Sequence, residues 1–141
     1  MSIQQVSVFI ENRPGRLAGI LGFLAQEGVG LRAYSFAEAS DFGILRMLVD
    51  DTAKAVAALK RGGYTARANE VLGIYVPDEA GAAAEAFRVL GDAGVNVEYT
   101  YAFAVQGRGE AFVLLRVDDN EKAADLLARA GFRLAQPASL F

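Results

Sequence analysis

Asn12-Arg13-Pro14-Gly15-Arg16-Leu17 stands between two runs of different period. Before it, Val6, Val8 and Ile10 alternate with Ser7, Phe9 and Glu11, the pattern of a half-buried strand. After it, Leu17, Ile20, Leu21 and Leu24 recur at helical spacing. The stretch is therefore a strand-to-helix turn. Pro14 presets φ for the start of the helix and has no N–H to leave unpaired. Gly15 leaves the backbone bare to close approach. A helix N-terminus offers free N–H groups and partial positive charge, which suit a carboxylate or phosphate. The functional reading is a small-anion site; an ordinary turn with a cap accounts for the same residues.

Outward from this turn the chain repeats itself. Gly15 falls on Gly81, Leu24 on Leu90, and Glu27-Gly28-Val29-Gly30-Leu31 on Ala93-Gly94-Val95-Asn96-Val97, at a spacing of about 66 residues. Past the middle the register slips by about two residues, as a longer hairpin requires. Val49-Asp50-Asp51 then matches Val117-Asp118-Asp119, Lys54-Ala55 matches Lys122-Ala123, and Gly63-Tyr64 matches Gly131-Phe132. The period exceeds that of solenoid repeats, so each copy is a small domain, 1–70 and 71–141.

Each copy reads strand, helix, strand, strand, helix, strand. In the first, Gly28 stops the helix, 31–38 and 44–49 are strands around a hairpin, and Asp51 or Thr52 caps a helix that Gly62-Gly63 ends. Residues 64–69 form its last strand, and 72–76 the first strand of the second copy. The fold class is α+β: two ferredoxin-like βαββαβ domains in tandem, each an antiparallel sheet with its helices on one face. Such sheets should alternate apolar and polar residues, but Ile44-Leu45-Arg46-Met47-Leu48-Val49 and Ala111-Phe112-Val113-Leu114-Leu115 are apolar on both faces. Tyr34 and Phe36 are expected on the face opposite Leu31 and Ala33. The second face must be covered by the other copy, a second chain, or both.

Composition narrows the chemistry. The 141 residues are 53% hydrophobic, enough for a sizeable core. There is no Cys, His or Trp, which removes disulfides, thiolate nucleophiles, histidine bases and thiolate or imidazole metal sites. Asp50-Asp51 and Asp118-Asp119 lie at strand ends and read as caps rather than metal ligands. The net charge of −3 argues against a nucleic-acid surface. No apolar run reaches membrane-spanning length, so a cytoplasmic protein is expected.

Three stretches, Asn12-Arg13-Pro14-Gly15-Arg16-Leu17, Asp41-Phe42-Gly43-Ile44-Leu45-Arg46 and Gly94-Val95-Asn96-Val97-Glu98-Tyr99, resemble ACT domains. These are ferredoxin-like modules that bind amino acids and regulate amino-acid metabolism. The resemblance covers both copies and is closest to stand-alone tandem ACT proteins, which carry no attached enzyme. It implies a free amino acid bound at an interface between ACT units, with no catalytic residue, metal or cofactor. Carried over, Asn12 would hydrogen-bond the amino or carboxylate group. Amides around Gly15, Arg16 and Leu17, in the loop shared with Arg13 and Pro14, would hold the carboxylate. Ala33, Tyr34 and Ser35 would come from the adjacent strand, with Asp41 and Phe42 reaching in from the hairpin. The second copy departs from the pattern: Asp78 replaces Asn12, Ala80 replaces Pro14 and Ala82 replaces Arg16. A weaker second site there would use Asp78, Gly81, Thr100 and Tyr101, although Tyr99, Tyr101 and Phe103 read better as packing residues. A homodimer and a metabolic enzyme or regulator complete the expected partners; no nucleic acid or membrane is among them.

Three other function classes share the topology. A dimerisation module without ligand is the first. An acylphosphatase-like hydrolase would need an arginine cradling phosphate, for which Arg13 and Arg16 are the candidates, and a positioned asparagine. An RRM-type binder would stack bases on Phe9 and Tyr34, against the acidic charge.

Overall fold

The computed structural model describes residues 2–137. In chain order the elements are β1 (Ile3–Glu11), α1 (Arg16–Gln26), β2 (Leu31–Ala39), β3 (Phe42–Val49), α2 (Thr52–Arg61), β4 (Thr65–Pro77), α3 (Ala82–Asp92), β5 (Val97–Val105), β6 (Glu110–Val117), α4 (Asn120–Arg129) and β7 (Arg133–Leu134). One compact unit is Gln4–Asn69; of the described residues, the other takes in 2–3 and 70–137. The first has strand order β2-β3-β1-β4, the second β5-β6-β4-β7. The pairs β1·β3, β2·β3, β4·β6, β5·β6 and β4·β7 are antiparallel. This is the ferredoxin-like order expected of each repeat. No helix among the described residues is long and apolar enough to cross a membrane.

Each core lies between a sheet and its two helices. In the first, Val6, Val8, Leu45 and Met47 meet Ile20 and Leu24 of α1 and Ala55 and Leu59 of α2. In the second, Leu72, Ile74, Val113 and Leu115 meet Ala86, Leu90, Ala123 and Leu127. The strand residues occupy alternate positions, as a period of two requires.

Where the chain enters each second helix, three side chains repeat their roles. Asp51 and Asp119 are N-caps whose carboxylates accept from the amides of Lys54 and Lys122, each at 3.1 Å. Asp50 and Asp118 accept from the amides of Gly30 and Asn96 at 3.0 and 3.2 Å. The ammonium groups of Lys54 and Lys122 donate to the carbonyls of Gly28 and Ala93, at the ends of α1 and α3. The acidic pairs are thus structural. Among the described residues no cluster of three or more acidic side chains could hold a metal.

Two readings need correction. Residues 64–69 and 72–76 are not separate strands: β4 is one strand of 13 residues that contributes to both units. Nothing in Asn69-Glu70-Val71 punctuates an extended chain, since neither Gly nor Pro is present. Tyr34 and Phe36 do not oppose Leu31. The ladder slips between Leu31 and Ala33, so Leu31 faces Val49, Tyr34 faces Met47 and Phe36 faces Leu45. All three stand on the helix side, and Ala33, opposite Leu48, stands on the other. The extra residue, Arg32, reverses the alternation. The same slip recurs between Val97 and Tyr99.

The helix-free faces differ. In the second unit Phe112 and Leu114 are buried, with Phe103 stacked on Phe112 at 5.0 Å and Tyr75 edge-on at 5.5 Å. In the first, Leu48 is buried, but Phe9 remains 47% exposed.

Candidate functional site

The β1–α1 connection begins where β1 leaves its ladder. The Asn12 amide still donates to the Asp41 carbonyl at 2.9 Å, tying the loop to the β2–β3 hairpin. The Arg16 amide then donates to the Arg13 carbonyl at 3.2 Å, closing a four-residue turn with Pro14 and Gly15 inside it. Gly15 has φ 84° and ψ −11°, close to the third position of a type II turn. Pro14 therefore sets the second position of a β-turn rather than the first helical residue. The repeat at Glu79-Ala80-Gly81-Ala82 makes the same turn, with Gly81 at φ 87° and the Ala82 amide on the Glu79 carbonyl.

The turn delivers α1 with its first amides open. Gly19 makes the first internal helix bond, to Gly15, and no side chain caps the end. The amides of Leu17 and Ala18 have no acceptor among the described residues. Beside this end lies a cavity of about 300 Å³, lined by Phe9, Ile10, Glu11, Gly15, Arg16, Gly19, Phe42, Gly63, Tyr64 and Thr65. Gly15, at the N-cap, and Gly19, one turn on, both line the cavity and leave its wall there without side chains. The register of β1 with β3 sets Glu11 opposite Phe42. Glu11, half-buried, pairs with Arg16 at 3.4 Å and with Arg13 at 3.2 Å, both arginines being largely exposed. The cavity thus holds one acid and one base on its rim, and aromatic and aliphatic walls elsewhere.

Of the residues expected from sequence, Gly15, Arg16 and Phe42 line this cavity. Asn12 does not: its side-chain amide donates to Glu38 at 3.0 Å. Arg13 sits outside, on Glu11. Pro14 shapes the turn, and Leu17 packs against the core. Ala33 and Ser35 face away from the helices, opposite Leu48 and Arg46, whereas Tyr34 faces toward them. These three do not form one wall. Asp41 contributes its carbonyl to the turn. Sequence reasoning missed Phe9, Ile10, Glu11, Gly19, Gly63, Tyr64 and Thr65. The repeated Gly63-Tyr64 pair and the spacing of Gly15 and Gly19 were the available signals.

The second unit has its own cavity of about 380 Å³, lined by Pro77, Glu79, Ala80, Gly81, Ala82, Glu85 and Phe132. Its chemistry is different. Pro77 stands for Glu11, Ala82 for Arg16 and Glu85 for Gly19. The Arg88 guanidinium, at 3.0 Å, hydrogen-bonds Glu85 and holds its carboxyl below the usual range. Glu110, opposite Pro77 as Phe42 is opposite Glu11, takes two bonds from Arg133, at 2.9 and 3.0 Å. Arg133 also lies over the Tyr75 ring at 4.3 Å. Of the residues expected for a second site, Gly81 lines this cavity. The Asp78 amide donates to Gly109, Thr100 donates to the Leu114 carbonyl, and Tyr101 faces Leu114 across the ladder.

A family model described as an ACT domain pair matches residues 1–136. No curated protein sequence matches the chain. Among solved structures, the chain is similar to protein BT0572 from Bacteroides thetaiotaomicron. The two are 36% identical with a TM-score of 0.92, over 99% of this chain and 96% of that one. The ligand-free regulatory subunit of aspartate kinase from Thermus thermophilus is 18% identical, with a TM-score of 0.65 over 91% and 92% of the two chains. Aspartate kinase from Synechocystis is 20% identical, with a TM-score of 0.61 over 96% of this chain and 28% of that one. At these last identities the likeness is one of fold.

Proposed function

Because the chain belongs to the ACT domain pair family, we propose that it is a non-catalytic, cytoplasmic sensor that binds a free amino acid and regulates amino-acid metabolism. The observation that carries this reading is the cavity at the β1–α1 turn. It joins two bare glycines and an acid–base pair, and it lies beside the uncapped start of one helix. An amino acid is a zwitterion, so its site needs donors for a carboxylate and an acceptor for an ammonium. The ligand carboxylate takes Arg16 and the amides of Leu17 and Ala18, and the ammonium takes Glu11. Opening the Glu11–Arg16 pair costs little, because an exposed ion pair is worth only about 0–1 kcal/mol.

The first repeat binds and the second does not, so one ligand binds per chain. In the second repeat Ala82 and Pro77 supply neither charge, Glu85 places a carboxylate where Gly19 is bare, and Arg133 and Glu110 satisfy each other. A second carboxylate brought beside Glu85 is repelled. A second copy of the chain over the half-exposed Phe9 and Phe42 places the ligand at an ACT–ACT interface in a homodimer. Ligand binding then biases the arrangement of the pair by its difference in affinity between arrangements, and an enzyme or regulator reads that bias.

Isothermal calorimetry and thermal shift against the twenty amino acids test this. The expected result is saturable binding at one site per chain, abolished by Arg16→Ala and untouched by Arg133→Ala. Absence of heat and of any shift with all twenty overturns the reading.

A further inference from the structure

We infer that the ligand is a neutral amino acid with a large apolar side chain, aromatic or branched aliphatic. This rests on the sensor reading and deepens it. Four large apolar side chains stand exposed among the described residues: Phe9, Leu31, Tyr34 and Phe42. Two of them, Phe9 at 47% and Phe42 at 57% exposed, line the same small cavity. Ile10 and Tyr64 border the cavity from the helix side of the sheet, and Tyr64 is backed by Phe23, whose ring centre lies 5.8 Å away. An apolar wall facing water is stabilised by whatever apolar surface covers it. The volume of about 300 Å³ admits a single amino acid, since small-molecule sites begin at about that size.

Charge counting excludes the acidic and basic amino acids. The lining carries one acid, Glu11, and one base, Arg16. The ammonium and carboxylate of the ligand use both. A charged side chain is left without a counter-charge beside Phe9 and Phe42, where desolvation penalises it. Small amino acids leave the aromatic wall uncovered. The second repeat shows the contrast within the same chain. Glu110 stands where Phe42 does and Arg133 where Thr65 does, and their ion pair fills with charge the position that is apolar in the first repeat.

The test is calorimetry of the full chain with phenylalanine and leucine against glycine, alanine, aspartate and lysine, repeated with Phe42→Ala and Phe42→Glu. Phe42 is largely exposed, so both variants keep the fold; circular dichroism verifies this. Phenylalanine or leucine should bind at least about tenfold tighter than glycine or alanine, the worth of one buried large side chain. Phe42→Ala should weaken the large ligands by about tenfold or more and narrow their lead over glycine, and Phe42→Glu should weaken them further. Tightest binding by a small or charged amino acid overturns the assigned class and leaves the sensor reading standing. Binding by none of the twenty overturns the sensor reading and this assignment with it.

Discussion

Replacing Gly15 with alanine separates the role of the turn from that of packing. Gly15 has φ 84°, and a Cβ built there meets no atom within 4 Å. The substitution therefore costs backbone strain and nothing else. For an L-residue the left-handed region costs about 1–2 kcal/mol. Alanine also restricts the unfolded chain, which returns about 0.4–1 kcal/mol. The balance is a loss of about 1 kcal/mol of stability, from these two terms. Two other glycines bracket it. Gly22 lies inside α1 with ordinary φ and an equally open Cβ position, so Gly22→Ala should stabilise by about 0.5–1 kcal/mol. Gly43 sits under Phe36, whose ring would lie 2.1 Å from a new Cβ; Gly43→Ala should cost about 1–3 kcal/mol through overpacking. Urea denaturation should rank the midpoints Gly22→Ala, wild type, Gly15→Ala, Gly43→Ala. With a slope of about 2 kcal/mol/M, the Gly15→Ala midpoint falls by about 0.5 M. If Gly15→Ala instead stabilises as much as Gly22→Ala, the type II turn is misassigned and the argument for an open helix end fails with it.

Other outcomes follow from the geometry. Asp51→Ala and Asp119→Ala each remove an N-cap, and each should lower stability by about 0.5–2 kcal/mol in urea titrations; no loss from either would mean that the caps do not hold their helices. Leu45→Ala, at a fully buried position in the first core, should cost about 2–5 kcal/mol, whereas Phe42→Ala on the same strand should change the midpoint little. Arg88 depresses the Glu85 carboxyl, so this pair's contribution is complete above the unfolded-state pKa and disappears as pH falls through the lower folded-state value. NMR titration should show the Glu85 carboxyl moving up to the ordinary range in Arg88→Ala; an unchanged value would contradict the pairing.

Much of the fold was legible because the signals were doubled. Gly28 and Gly94, Asp51 and Asp119, and Lys54 and Lys122 occur in both repeats, and each carries the same role twice. What escaped had ambiguous local signals. Proline has the same φ at the second position of a turn and at the start of a helix, so Pro14 alone cannot distinguish them. A single extra residue at Arg32 reverses the alternation without disturbing composition, so Leu31 shares a face with Tyr34 while Ala33 stands opposite, as expected. The cavity was hardest to see. Phe9, Phe42 and Tyr64 come from three separate segments, and only strand register and the exit of α2 bring them to one place. A motif confined to one loop points to Asn12, which the structure ties to Glu38 instead.

β4 shared between the repeats makes the chain sensitive to odd changes in length at Glu70. Inserting a single residue there reverses the side of Leu72, Ile74 and Val76 relative to the first half of the same strand, whereas inserting two preserves it. The two copies, once joined in this way, are free to diverge in their loops but not in the parity of the strand between them.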